Sequence, residues 1–283
     1  MKDCIYFAPT EVSEAVRLLA EYREKATIVA GGTDLVPKIN YHKLKPKVLL
    51  YIGGLGLDYI REENGRLVIG AATPTAKLAS NHLVAERAGV LAEAARQSGS
   101  AAIRTTATIG GNLVNASPAA DLATPLLVLD AELLLRSTRG ARRVAVQDFF
   151  KGPGETVLES DELLTEISFS PPKGRSVFLK LGRRKAMTLS VVNVAVRLEM
   201  DGTVCKDARI ALGAMAPTPL RCTRAEKLIT GQTLDKLLID RCAAEAVAES
   251  SPIDDQRASS WYRKKAGTVV VARALAQAAG MEG

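Results

Sequence analysis

The chain reads as an α+β protein in two unequal parts, and three observations predict this. Residues 1–172 mix short strand-like and helix-like segments around two hairpin signals; Pro171-Pro172-Lys173-Gly174 then breaks the pattern; and the remainder alternates apolar and polar positions before closing in helical periodicity. The boundary is accordingly set between an N-terminal part, residues 1–172, and a C-terminal part, residues 173–283. A chain of 283 residues is long enough for two or three separate cores.

In order, Val12, Ala15, Val16 and Leu19 recur at helical spacing behind a cap at Thr10 or its neighbours. Thr27-Ile28-Val29-Ala30 predicts a buried strand and residues 48–52 another, the latter closed by Gly53-Gly54. Asn64-Gly65, between residues 59–63 and 66–69, is a strong hairpin signal because both positions accept positive φ. One helix is expected over residues 83–96 and a short one over 122–129. A second hairpin turns at Arg139-Gly140, and residues 163–169 form a strand. Beyond the boundary, residues 177–181, 191–199 and 209–215 predict three antiparallel strands, ending at Pro217 and Pro219. Helices over 225–230, 234–248 and 262–279 close the chain.

Composition narrows the chemistry. Hydrophobic residues make up 47 %, and no run approaches the roughly 18 apolar residues of a membrane span. Met1-Lys2-Asp3-Cys4-Ile5 has no export pattern, so a cytoplasmic protein without a membrane span is expected. Cys4, Cys205, Cys222 and Cys242 are far apart, and His42 and His82 form no cluster, so no metal site, disulfide framework or catalytic triad is expected on this chain. The net charge is +7, with basic runs at residues 42–47 and 173–185. Aromatics are only 4 % and no recognition-helix motif is present, so phosphates of a cofactor or an acidic partner suit these runs better than nucleic acid.

Two glycine-rich segments carry the functional signal: Ala30-Gly31-Gly32-Thr33-Asp34-Leu35, and Thr108-Ile109-Gly110-Gly111-Asn112 continuing to Asn115-Ala116-Ser117-Pro118-Ala119-Ala120-Asp121. Glycine removes the Cβ that keeps an anion away from backbone N–H groups. A single such segment reads more readily as a tight strand-to-helix turn; two suggest a ligand with a diphosphate and a long polar body, held from both sides.

With Arg104, and with Ser260-Trp261-Tyr262-Arg263 and Val269-Val270-Val271-Ala272-Arg273-Ala274-Leu275 at the end, these segments resemble the FAD-binding medium subunit of molybdenum hydroxylases, the xanthine dehydrogenase and carbon monoxide dehydrogenase medium-subunit family, over essentially the whole chain. The resemblance implies an N-terminal FAD domain of the vanillyl-alcohol-oxidase type in two α/β lobes, followed by a C-terminal three-stranded antiparallel sheet with helices. It implies an electron-transfer oxidoreductase subunit: molybdopterin on a large partner subunit, [2Fe-2S] clusters on a small one, and FAD on this chain discharging to NAD+ or another acceptor. The cofactor carries the redox chemistry, so no catalytic residue is required of the chain.

Carried over residue by residue, Ile28, Val29, Ala30, Gly31, Gly32, Thr33, Asp34 and Leu35 match the family's diphosphate-binding loop. Thr108, Ile109, Gly110, Gly111, Asn112, Asn115 and Asp121 match its second FAD segment; Thr108 and Asn112 offer hydrogen bonds to phosphate or ribityl oxygens. Asp121 is either a ribityl acceptor or a helix N-cap, and Arg104 a phosphate or subunit contact or a solvated cation. Leu163 matches a backbone contact to the isoalloxazine or is a core strand residue; Lys180 matches a lysine near the flavin or is an exposed strand lysine. Two features depart from the family. Gln97-Ser98-Gly99-Ser100 stands where xanthine dehydrogenases carry an aromatic that stacks on the flavin, and there is no cysteine-bearing insertion for an extra cluster. A self-sufficient flavin oxidase of the same fold and a flavin-free scaffold are the alternatives.

Overall fold

The computed structural model describes residues 4–184 and 187–281. Met1-Lys2-Asp3 and Lys185, the last residue of the second basic run, lie outside the described residues.

The first lobe contains β1 (Ile5–Phe7), α1 (Val12–Tyr22), β2 (Ala26–Val29), α2 (Leu35–Asn40) and β3 (Val48–Tyr51). The strands form a parallel sheet in the order β1-β3-β2. Ala15, Val16, Leu18 and Leu19 of α1 are the buried face predicted by their spacing, although the cap is Glu11 and makes no side-chain bond. Strand β2 differs from expectation: all four residues are only half-buried, because it is an edge strand with one neighbour.

The second lobe begins with the hairpin β4 (Ile60–Glu63) and β5 (Arg66–Gly70), turned at Asn64 and Gly65 with φ of 51° and 72°. Six short helices follow: α3 (Thr75–Ser80), α4 (His82–Arg87), α5 (Gly89–Gln97), α6 (Ala101–Thr106), α7 (Ile109–Val114) and α8 (Ala123–Val128). The single helix expected over 83–96 is thus split, at Ala88, whose φ of −151° takes the chain out of the helical region. Then come β6 (Glu132–Ser137), β7 (Gly140–Ala145), the small hairpin β8 (Phe150–Gly152) and β9 (Glu155–Thr156), and β10 (Leu163–Phe169). An antiparallel sheet of order β4-β5-β10-β6-β7 supports the helices, whose Leu78, Leu91, Ile109 and Leu113 have no exposed surface. Each such side chain contributes roughly 1.5–3 kcal/mol of burial.

The C-terminal part holds β11 (Arg175–Gly182), β12 (Ser190–Asp201), β13 (Val204–Gly213), β14 (Leu220–Arg221), α9 (Thr223–Ile229), α10 (Lys236–Ala248) and α11 (Ser260–Ala279). Its antiparallel sheet has a fourth strand, beyond the three expected. The ladder breaks at the prolines and resumes immediately after Pro219, where Leu220 and Arg221 pair with Leu212 and Ala211. Helix α11 packs on β11, β12 and α10. Its Arg263, 1 % exposed, donates to the Val191 carbonyl (2.6 Å), the Ala214 carbonyl (3.1 Å) and Asp255 Oδ1 (2.7 Å).

Two outcomes follow from this packing. Burial pushes the Cys205 thiol up to about 11 and the Cys242 thiol up to about 12, and raises Cys222, whereas Cys4 is half-buried. Alkylation of the native protein near pH 8 should label Cys4 alone, as read by peptide mass mapping; labelling of the other three without denaturant would contradict the packing. Burial opposes ionisation of Asp255, but hydrogen bonds from the Arg257 side chain and the Arg257 and Ala258 backbone outweigh it and hold the carboxyl well below its usual range. That stability is present above the unfolded value of about 3.9 and is lost as pH falls toward the folded value. Urea denaturation should show the gap between wild type and Asp255→Asn narrowing below about pH 4; a constant gap would refute this account.

Candidate functional site

The first glycine segment leaves the end of β2 and turns into α2. Gly32 has φ +70°, a conformation L side chains rarely adopt, and a Cβ on Gly31 would stand 1.8 Å from the Thr106 carbonyl oxygen. The turn is therefore pressed against the C-terminal end of α6. The backbone N–H groups of Gly31, Gly32, Thr33 and Asp34 make no hydrogen bond among the described residues; the helix ladder starts only with Val36 N to Gly32 O (2.8 Å). Ile28, Val29 and Ala30 lead into the turn half-buried, as is Leu35 where α2 begins. The segment presents four consecutive unpaired donors beside the Thr33 hydroxyl.

The second segment is not an open loop. It folds as α7, with Thr108 as N-cap accepting from Gly111 N (3.0 Å). Ile109 N donates to Thr73 O (3.1 Å), Gly110 N to Ala71 O (2.8 Å) and Asn112 N to Thr108 O (3.0 Å). A Cβ on Gly110 would lie 2.6 Å from the Ala71 oxygen, so this glycine serves the seating of α7 on the chain after β5. With its amides consumed, the segment presents side chains instead of backbone. Thr108 keeps its hydroxyl hydrogen, and Asn112 Oδ1 is buried without a partner. An orphaned buried acceptor costs about 1–3 kcal/mol unless a ligand or water donates to it.

The two segments meet. Besides the Gly31–Thr106 approach, Lys38 Nζ of α2 donates to Asn115 Oδ1 just after α7 (3.1 Å). Residues 28–35 and 108–115 thus lie side by side as a candidate cradle, the first segment carrying free N–H groups and the second an unpaired amide oxygen. Arg104 donates to the Ser98 and Gly99 carbonyls (3.1 and 3.3 Å) just after α5. Leu163 is buried with Ala15, Leu19 and Leu57 in the core of the first lobe and brings no polar group to the site.

Asp121 and Lys180 pair with each other, which overturns the helix-cap reading of the first and the exposed-lysine reading of the second. Leu122, not Asp121, is the N-cap of α8, without a side-chain bond. Lys180 is no exposed strand lysine: its side chain is 4 % exposed, and Nζ donates to Asp121 Oδ2 (2.6 Å) and to the Gln97 carbonyl (3.1 Å). Asp121 Oδ1 accepts from Ser190 Oγ (2.6 Å) and Asn193 Nδ2 (3.3 Å). Burial pushes the Asp121 carboxyl up, and the Lys180 charge with these hydrogen bonds only partly offsets it. Three of roughly four acceptor positions are used inside the protein, which leaves little of the carboxylate for a ligand. Lys180 also lines a cavity of about 340 Å³ with Gln97, Leu181, Gly182, Arg183, Arg184 and Thr188.

Ser190, Asn193 and the Gln97 carbonyl escape the sequence reading. Ser190 and Asn193 have opposite parity on β12 and belong on opposite faces of a regular strand. A register shift opposite Leu181 and Gly182 lets both reach one carboxylate oxygen, and no residue pattern announces that bulge. Among the described residues no group of three His, Cys, Asp or Glu side chains is arranged to hold a metal. No described helix is long and apolar enough to cross a membrane.

Removing one partner of a buried pair leaves an uncompensated charge. Lys180→Met should cost about 3–5 kcal/mol in urea denaturation, and adding Asp121→Asn should recover much of that loss. A cycle in which the two changes are additive would refute the coupling.

The whole chain matches known proteins. Residues 2–172 match the family model for the FAD binding domain in molybdopterin dehydrogenase, and residues 177–278 that for the CO dehydrogenase flavoprotein C-terminal domain. The sequence is 37 % identical to the nicotinate dehydrogenase FAD-subunit of Eubacterium barkeri, covering 83 % of this chain and 82 % of that one. It is 34 % identical to the carbon monoxide dehydrogenase medium chain of Afipia carboxidovorans, over 96 % of each. The fold superposes on a chain of carbon monoxide dehydrogenase from Hydrogenophaga pseudoflava with a TM-score of 0.95 at 32 % identity, covering 99 % and 98 % of the two chains. Sequence and fold agree: the chain belongs to the FAD-binding medium-subunit family of the molybdenum hydroxylases and is an oxidoreductase flavoprotein subunit with FAD as its cofactor.

Proposed function

We propose that this subunit binds FAD in the cradle formed by residues 28–35 and 108–115, with residues 1–172 as the FAD-binding domain and 173–283 as the C-terminal domain. The observation that carries this reading is the pairing of free N–H groups on Gly31 to Asp34 with the orphaned Asn112 oxygen across one junction. The donors suit a diphosphate, whose oxygens accept only; the acceptor suits a hydroxyl of the ribityl chain. Thr33 and Thr108 would add hydroxyl donors at either side. Lys180 would bring a positive charge toward the flavin, and Asp121 would act chiefly by holding that lysine. Leu163 would contribute at most through its backbone, since its side chain is in the core.

FAD supplies the exchange between one-electron and two-electron transfer when bound. The residues of this chain orient it, neutralise its phosphates and set the local charge. In the proposed assembly a molybdopterin-bearing large subunit oxidises the substrate. A small [2Fe-2S] subunit delivers electrons to this chain, and NAD+ or another acceptor removes them. The complex is cytoplasmic in this reading, and the substrate is chosen by the large subunit.

Gly32 allows a controlled test. Asn and Asp share a side-chain shape and both tolerate positive φ, so Gly32→Asn and Gly32→Asp impose the same strain, against Val36 Cγ2 at 3.0 Å. Only Asp adds negative charge where the diphosphate is placed. Gly32→Asp should lose FAD at least about tenfold more strongly than Gly32→Asn, with both folded by circular dichroism. Equal FAD content in the two variants would remove this turn from the site.

A further inference from the structure

The groups that hold Asp121 and Lys180 in place belong to the C-terminal sheet. Asp121 follows α7 in the second lobe; Lys180 is on β11, and Ser190 and Asn193 are on β12. Ser190 and Asn193 have no exposed surface. Asn193 is itself oriented from the second lobe: Thr124 Oγ1 of α8 donates to its Oδ1 (2.8 Å), which turns its Nδ2 toward Asp121. The chain Thr124–Asn193–Asp121–Lys180 crosses the domain boundary three times, and Ser190 closes it from the other side. At the far end, the Lys180 ammonium has three N–H groups, of which two are held by Asp121 and the Gln97 carbonyl. Among the described residues one remains without a partner, on a lysine that lines the adjacent cavity.

We propose that Ser190 and Asn193 are positioning residues of the flavin site: they fix the Asp121 carboxylate, and through it hold the Lys180 ammonium at the cavity. The inference rests on the reading that FAD binds here. Both residues donate to the ionised carboxylate, and these hydrogen bonds weaken once it is protonated, because a neutral acid is the poorer acceptor. Removing a donor therefore favours the protonated acid, and a neutral Asp121 releases Lys180. The groups facing Asp121 from the packed elements are Lys180 from β11, Ser190 and Asn193 from β12, and Thr124 through Asn193 from α8; Lys180 is the one charged group among them.

The test is FAD affinity of the full chain as a function of pH, by fluorescence titration of the deflavinated protein. For the wild type, affinity should fall as pH drops through the Asp121 midpoint. In Ser190→Ala that midpoint should rise by about one pH unit, the shift expected from losing one hydrogen bond to a charged group. Ser190→Thr keeps the hydroxyl and should restore the wild-type profile. Thr124→Val, which removes one buried hydroxyl at constant shape, guards against a folding defect in Ser190→Ala and should shift the midpoint in the same direction by less. An unchanged midpoint in both Ser190→Ala and Thr124→Val, or a Ser190→Thr profile like that of Ser190→Ala, would overturn the proposal even if stability fell. A wild-type chain that takes up no FAD would overturn the underlying reading as well, so the two failures are distinguishable.

Discussion

A carboxylate taken out of water must be surrounded by donors or give up its charge, and Asp121 is where this protein meets that demand. The solution draws on three elements: β11 supplies Lys180 and β12 supplies Ser190 and Asn193, some sixty to seventy residues from Asp121, with α8 steering the last. Because the partners come from the C-terminal sheet, this pairing of charges forms only when both parts of the chain are docked. The Gln97 carbonyl, at the end of α5, also depends on that docking.

A second set of charges makes the same junction from the opposite end of α8. Asp130, just beyond the helix, accepts from Arg209 (3.1 Å) and Arg221 (2.9 Å) of the C-terminal sheet. Arg221 also donates to Leu127 O (3.1 Å) and pairs with Glu226, and Arg197 pairs with Asp207 alongside. Phe178, Ala195 and Ala211 of that sheet are buried in the core of the second lobe. The boundary is thus apolar in the middle and charged at both ends of α8. Apolar burial supplies the cohesion and the buried Asp121–Lys180 pair supplies the register, since displacing it by one residue would leave a buried charge unmatched.

The glycines show how packing and binding share the same positions. Gly31 and Gly110 are required where backbone meets backbone, at Thr106 and Ala71, before any ligand is considered. The first turn then has its amides to spare because α2 starts its ladder only at Val36, whereas α7 consumes its own. Two segments of like composition therefore offer a ligand opposite chemistry: donors from the first, an acceptor from the second.

Much of the architecture was legible in the residues. The α1 stripe, the Asn64-Gly65 turn, the break at Pro171-Pro172-Lys173-Gly174 and the alternating C-terminal strands are local signals, and periodicity or turn chemistry suffices for each. The two glycine segments were also visible, because a bare backbone leaves a compositional mark. The use of each segment was not. Whether an amide is free depends on which carbonyl packs against it, and whether Lys180 is exposed depends on α5 and the chain before α8 covering β11. The splitting of the 83–96 helix at Ala88 and the bulge that brings Ser190 and Asn193 to one oxygen are likewise decided between elements. By itself the sequence determined the family, the fold class and most of the elements, and it marked out candidate residues for a cofactor site. Tertiary structure decided which of those residues are free to bind and which are spent holding others, because hydrogen-bond satisfaction and burial are properties of neighbours that no local pattern encodes.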